Sequence, residues 1–255
     1  MITLASDFGS PYPAAMKGVI CRRSDARLVD IAHDLPRQDV RAAAFWLTQT
    51  LPYFPPAVHC VVVDPGVGTD RAALVVRVGD DALVGPDNGV LLPTARALAS
   101  AADGPIEVFT WAYDDPESST FHGRDVFAPA AATVHEAGVD AVETLERATP
   151  TDDYADLRFP EPTVDADRAL GEVLVVDDFG NAITNVPGDV LADRFGGSVT
   201  VNGESVPVRR AYAELEAGQR LVTVGSHGNV ELAVNRGRGD GAFGVAAGDG
   251  IELRW

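Results

Sequence analysis

Val61-Val62-Val63-Asp64-Pro65-Gly66-Val67-Gly68-Thr69-Asp70-Arg71 is the stretch whose reading decides the fold. Consecutive valines, continuous rather than alternating with polar residues, describe a strand buried on both faces. Proline then removes a backbone donor and the glycines permit turn geometry, so the strand ends at Asp64. That places the Asp64 carboxylate at the carboxyl end of a core strand, where open α/β sheets bind their ligands. Arg71 lies across the loop, close enough to fold back on that carboxylate. An aspartate that merely caps its own turn has the same local sequence, so the rest of the chain has to decide.

Upstream, Ile2 to Ser6 is a strand ending at Asp7-Phe8-Gly9-Ser10, with a helix through Ala14 to Ile20. Asp7 repeats the placement of Asp64, with an N-cap as its local alternative. A short strand from Arg27 to Ile31 follows, and Asp39 caps a helix over Val40 to Leu51 with Val40, Ala43, Ala44, Leu47 and Leu51 on one face. Downstream of Asp64, Ala73–Val78 and Asp81–Val84 form a hairpin across Gly79-Asp80. A polar loop at Asp87-Asn88, a helix over Leu91–Ala101, a strand over Ile106–Thr110 and a helix over Val126–Ala137 complete this half. Strands alternating with helices predict an α/β domain with a mostly parallel sheet over residues 1–150. Prolines and scattered acids over 151–168 predict a linker. From 169 to 255 the pattern is all β, with strands at Gly171–Val176, Ser198–Val201, Ser205–Val208, Arg220–Val224, Asn229–Val234 and Gly250–Leu253, and predicts a smaller barrel-like domain.

Charge and composition narrow the function. The 255 residues carry 38 acidic against 20 basic side chains, a net charge of −18, and Lys17 is the only lysine. Such an excess of carboxylates, with arginine in place of lysine, suits a high-salt habitat where self-repulsion is screened. No basic stripe is present to neutralise phosphates, which argues against a nucleic-acid partner. No apolar run of roughly 18 residues indicates a membrane span, and the strand-like opening has no basic leader before an apolar stretch, so a cytoplasmic protein is expected. Cys21 and Cys60 have no metal-ligand spacing and are expected to be reduced core residues.

Four polar loops at strand ends, those of Asp7, Asp64, Asp87-Asn88 and His122, are placed to converge on one sheet edge. His122 lies in Phe121-His122-Gly123-Arg124-Asp125, just before a helix. A His–Asp–Arg cluster can orient and polarise a water molecule, with the arginine holding the carboxylate. No metal is expected, since no spacing such as His-x-x-x-His occurs. Neither a P-loop nor a GxGxxG opening is present. The second domain adds Asp177-Asp178-Phe179-Gly180-Asn181-Ala182-Ile183-Thr184-Asn185 and Gly225-Ser226-His227-Gly228-Asn229-Val230-Glu231, followed by Asn235-Arg236-Gly237. Taken singly, these are turn formers. Two such clusters beside those of the first domain suggest a ligand held between domains.

Six ordered motifs then carry a resemblance that spans nearly the whole chain. Ser6-Asp7-Phe8-Gly9, Asp64 through Thr69, Pro86-Asp87-Asn88-Gly89, Phe121 through Asp125, Asp177 through Asn185 and Ser226 through Gly237 together resemble the S-adenosylmethionine (SAM) hydrolases, or SAM hydroxide adenosyltransferases. These are relatives of the SAM-dependent fluorinase and chlorinase. The resemblance implies hydrolysis of SAM to adenosine and L-methionine, with SAM as substrate and no cofactor. It also implies a homotrimer with SAM between the N-terminal domain of one subunit and the C-terminal domain of the next. By the same resemblance Asp64, Arg71 and His122 position and activate water, Asp7 grips the ribose hydroxyls and Phe121 lines the nucleoside pocket. Asp177 and Ser226 hold the methionine amino and carboxylate groups, Asn181 and the Asn235 region contact adenine, and Glu231 of the last motif joins the substrate-binding set. His227 stands where relatives often have an apolar or basic residue. The halogenases have a tyrosine where Asp64 stands and small hydroxyl residues near Val67 and Gly123, so these positions side with the hydrolases. The alternatives are a SAM-dependent chlorinase and a non-catalytic adenosine- or SAM-binding protein, with a metal-dependent nucleotidase third.

Overall fold

The computed structural model describes residues 1–102 and 104–255, which divide into two compact units, Met1–Arg158 and Phe159–Trp255. In the first unit β1 (Ile2–Ser6), α1 (Tyr12–Cys21), β2 (Leu28–Ala32), α2 (Val40–Thr50) and β3 (Val58–Val62) are followed by the hairpin of β4 (Ala73–Val78) and β5 (Asp81–Pro86). Then come α3 (Leu92–Ala102), β6 (Ile106–Trp111), α4 (Ala128–Ala137) and β7 (Ala148–Pro150). The strands form one sheet in the order β2-β1-β3-β5-β4-β6-β7. Five of the seven share one direction, and β4 and β7 oppose it.

The apolar runs explain the centre of this sheet, since every residue of β1 and β3 is buried. Ile2, Leu4, Val58, Cys60 and Val62 share a core with Met16 and Ile20 of α1 and the alanines of α4. The helices α2 and α3 pack against each other on the opposite face. There the buried His59 is satisfied by Thr3 Oγ1 on Nδ1 at 2.8 Å and by Asp81 on Nε2 at 3.2 Å, as a buried polar group requires. Asp39 caps α2 by accepting from the Ala42 amide at 2.9 Å. The chain leaves β1 for β2 on one side and returns to β3 on the other. The topological switch therefore falls between the carboxyl ends of β1 and β3, where such sheets open a ligand crevice. Asp7 follows β1 and Asp64 follows β3.

The second unit contains β8 (Thr163–Val164), β9 (Arg168–Val176), β10 (Ala182–Pro187), β11 (Ser198–Val201), β12 (Glu204–Pro207), β13 (Arg220–Val224), β14 (Asn229–Val234), α5 (Gly239–Phe243) and β15 (Gly250–Arg254). Its antiparallel order is β12-β11-β15-β9-β10-β14-β13, with β8 paired to β9. A bridge between Val208 and Val222 nearly closes the ends into a barrel. β9 turns the corner, pairing with β15 through its first half and with β10 through its second. Gly171 sits at that corner, where a Cβ would lie 2.3 Å from Asn185 Oδ1. The β11–β12 turn is Asn202-Gly203, both at positive φ, as a two-residue hairpin demands.

Three expectations need correction. Cys21 is exposed, because α1 buries Pro13, Met16 and Ile20 and the next residue points away from that stripe. The polar stretch 177–185 is a loop only as far as Asn181; from Ala182 it is a central strand whose polar residues Thr184 and Asn185 are used in hydrogen bonds. The helix expected from Val126 begins as a π-type turn over Gly123–Phe127, closed by the Ala128 amide on the Gly123 carbonyl. Within 151–168, the part up to Arg158 lies along the first unit, where Asp87 accepts from the Ala155 amide and Arg96 donates to the Leu157 carbonyl.

Candidate active site

Because β3 ends at Val62 and Pro65 forbids its continuation, Asp64 projects from the switch point on a turn closed by the Val67 amide on the Asp64 carbonyl. Its side chain does not cap that turn. Arg71 Nε lies 3.0 and 3.2 Å from the two carboxylate oxygens, and Nη2 lies 2.5 Å from Oδ2. Both side chains are nearly inaccessible, at 5% and 9% exposure for Asp64 and Arg71. An ion pair this buried needs such fork geometry to offset its desolvation. The guanidinium also lies over the Phe127 ring, 4.9 Å from its centroid.

His122 completes the cluster. Arg71 Nη2 donates to its Nδ1 at 2.8 Å. Arginine has no acceptor, so Nδ1 carries no proton and the imidazole is the neutral Nε2–H tautomer. Burial first, then the Arg71 cation, pull the His122 pKa below the ordinary value of 6.5, against the opposing pull of Asp64 and Asp125. The Tyr113 ring stands edge-on to it at 5.9 Å. Position comes from the loop. Asp125 accepts from the Ser118 amide at 2.9 Å and is gripped by Arg124, whose hydrogen bond holds its carboxyl below the usual range.

This tautomer has a pH consequence. The unfolded chain binds a proton to His122 more readily than the folded one, so stability from this group is complete above the ordinary histidine pKa. It is lost as pH falls through the lower folded value. An NMR titration of the imidazole is expected to give a midpoint below 6.5. A midpoint above it would mean that Arg71 does not donate to Nδ1.

Asp7 is 8% exposed and is not a cap of α1. Its Oδ2 accepts from the Gln38 amide at 2.6 Å, ahead of α2, where Gln38 adopts positive φ. Phe121 packs edge-on to Phe8 at 5.9 Å and Tyr12 at 5.4 Å, so an aromatic cluster joins the loop of Asp7 to that of His122. The first unit thus brings together Asp64, Arg71 and His122, with Asp7 and Phe121 joined through Phe8. The sequence reading missed Phe8, Tyr12, Tyr113 and Phe127. Phe8 was legible inside Ser6-Asp7-Phe8-Gly9. Phe127 was not, because the π-type turn shifts the helical period by which it would be placed.

In the second unit Asp177 accepts from Asn181 twice, from the backbone amide at 2.8 Å and from Nδ2 at 2.9 Å. Glu231 is buried and accepts from the Tyr212 hydroxyl at 2.5 Å, with His227 Nε2 3.5 Å from its other oxygen. Burial, then Glu231 and Asp177, push the Tyr212 hydroxyl pKa far up, so it stays a donor and Asp177 lies within its electrostatic reach. Asn235 instead donates to the Leu215 carbonyl and Ser226 is exposed. Among the described residues no group of three or more His, Cys, Asp or Glu side chains is arranged to hold a metal ion.

Both units match models of one family. Residues 2–145 match the SAM hydroxide adenosyltransferase N-terminal domain and residues 171–252 its C-terminal domain. The chain belongs to the SAM hydroxide adenosyltransferase family. Among its relatives, an (R)-S-adenosyl-L-methionine hydrolase of Thermus thermophilus is 43% identical, over 97% of each chain. A protein of the same name from Salinispora tropica is 39% identical, over 99% of this chain and 97% of its own. A crystal structure of an uncharacterized conserved protein from Thermotoga maritima superposes with a TM-score of 0.82 at 35% identity, covering both chains fully. In this chain the Asp64–Arg71–His122 cluster lies at the switch point of the N-terminal sheet.

Proposed function

We propose that this protein hydrolyses SAM to adenosine and L-methionine by attack of water at C5′. The observation that carries the reading is the buried Asp64–Arg71–His122 cluster at the β1/β3 switch point of a chain whose relatives are named (R)-S-adenosyl-L-methionine hydrolases. The (R) sulfonium epimer is the proposed substrate, with no cofactor, in a cytoplasmic enzyme. Among the described residues no helix is long and apolar enough to cross a membrane.

The chemistry asks little of the protein. The sulfonium makes methionine a neutral thioether leaving group, so no general acid is required. Oxygen of water forms its bond to C5′ while the C5′–S bond breaks and returns its electron pair to sulfur. The attacking oxygen becomes strongly acidic only as that bond forms, so a carboxylate beside it can take the proton late. Asp64 is assigned that role. Arg71 fixes the carboxylate, and neutral His122 offers its Nε2–H as a donor that orients the water. Alignment of water with the C5′–S bond can supply several kcal/mol, on the order of 7–11 in favourable intramolecular cases. Asp7 is assigned to the ribose hydroxyls and Phe121 to the nucleoside. Asp177, Asn181, Ser226, Glu231 and Asn235 are assigned to the methionine and adenine ends. The proposed assembly is a homotrimer with SAM between subunits, checked by sedimentation as a single species of three chains. A halide site is disfavoured because the Asp64 carboxylate would stand beside the anion.

The test is incubation with an epimeric mixture of SAM in 18O-labelled water and concentrated KCl, with products separated by chromatography and mass detection. Adenosine carrying the label at its 5′ oxygen, with loss of the (R) epimer, is the expected result. A chlorinated nucleoside would transfer the assignment to the halogenases. Unconsumed SAM with adenosine bound would leave a binding protein.

A further inference from the structure

The motif Pro86-Asp87-Asn88-Gly89 supplies no group to the water-activating cluster, yet it grips both flanks of it. Asn88 Nδ2 donates to the carbonyl of Val63, the residue before Asp64, at 2.8 Å, and Asn88 Oδ1 accepts from the Val90 amide at 3.1 Å. The Asp87 amide donates to the carbonyl of Ala72, the residue after Arg71, at 2.9 Å. That same Ala72 carbonyl accepts from Arg71 Nη1 at 3.4 Å. Two adjacent residues of one turn therefore hold the chain on either side of the Asp64–Arg71 pair.

The turn is itself held from outside. Asp87 Oδ1 accepts from the Ala155 amide at 2.8 Å. Gly89, at φ +90°, lies so close to Leu157 that a Cβ there would stand 2.7 Å from the Leu157 Cβ. Arg96 fixes the same segment through the Leu157 carbonyl at 2.8 Å and an ion pair with Asp156. Residues 155–157 thus form a strap across the turn.

We propose that the Pro86–Gly89 turn is a bracket that sets the spacing of Asp64 and Arg71, with Asn88 as its positioning residue. The loop from Asp64 to Arg71 has three glycine or proline positions and only short turn bonds of its own, so it needs an external brace to present a fork on a carboxylate. Asn88 suits the task because its amide both donates and accepts from one side chain, tying the end of β3 to the start of the segment that follows β5. The effect on turnover rests on the hydrolase reading; the effect on the cluster's geometry does not.

The experiment replaces Asn88 by alanine in the full chain. Asn88→Ser is the second variant, since serine can still accept from the Val90 amide while lacking a donor long enough to reach Val63. Neither change adds charge near His122. The bracket predicts that Arg71 loosens from Nδ1, so the NMR midpoint of His122 rises towards its ordinary value. It also predicts that kcat falls by about 10- to 100-fold, as misplacement of a reacting group does. KM stays within about threefold, because SAM is held elsewhere. A His122 midpoint and kcat unchanged in both folded variants would overturn the proposal, as would a rise in KM with kcat retained. If the wild-type protein leaves SAM intact, the hydrolase reading fails, while the His122 midpoint alone still decides the bracket.

Discussion

Asp64→Asn is expected to lower kcat for SAM by on the order of 10²–10⁴-fold, the range a positioned proton acceptor contributes. Asparagine keeps the size of the side chain and one oxygen for Arg71, whose fork now closes on both carboxylate oxygens. It removes the charge and the basicity. Methionine leaves without protonation, so nothing else in the reaction compensates for the missing acceptor. Binding should be spared, because Asp64 is assigned to water and not to the nucleoside or the amino acid. The check pairs kcat by chromatography with SAM affinity by calorimetry. Turnover within about threefold of wild type would remove Asp64 from the chemistry. Lost affinity with turnover intact would make it a binding residue.

The second large effect concerns stability. Arg71→Met leaves the Asp64 carboxylate buried and unpaired and takes the donor from His122 Nδ1. Breaking one side of a buried pair costs about 3–5 kcal/mol. At roughly 2–4 °C per kcal/mol for chains of this size, melting of the first unit should fall by about 6–20 °C. Asp64→Asn combined with Arg71→Met should recover much of that loss, because no charge is then stranded, while remaining inactive. That non-additivity is the signature of a coupled pair. Equal losses in Arg71→Met and in the double variant would show that Arg71 acts through packing on Phe127 instead.

These expectations depend on features of unequal visibility in the sequence. The burial of β3, the arrest of the strand at Pro65, the Asp39 cap and the Asn202-Gly203 hairpin follow from local chemistry, since each is decided within a few residues. β10 was hidden because Thr184 and Asn185 look like loop residues until their partners, Val230 on the neighbouring strand and the Glu172 amide, are known. The exposure of Cys21 depends on the phase of α1, which composition and spacing around a lone cysteine do not carry. The setting of His227 exists only in the fold, where its ring lies beside the buried Glu231.

By itself the sequence determined which residues end strands, and so which carboxylates stand at the carboxyl edge of the first sheet. It also determined, through six ordered motifs, the family. Only the tertiary structure decided that Asp64 serves Arg71 and not its own turn, that His122 accepts from Arg71 and is therefore neutral, and that Asp7 binds Gln38 and does not cap α1. The physical reason is separation along the chain. A strand end is fixed by a proline next door, whereas the state of His122 depends on an arginine 51 residues away and on burial that exists only once the chain has folded around it.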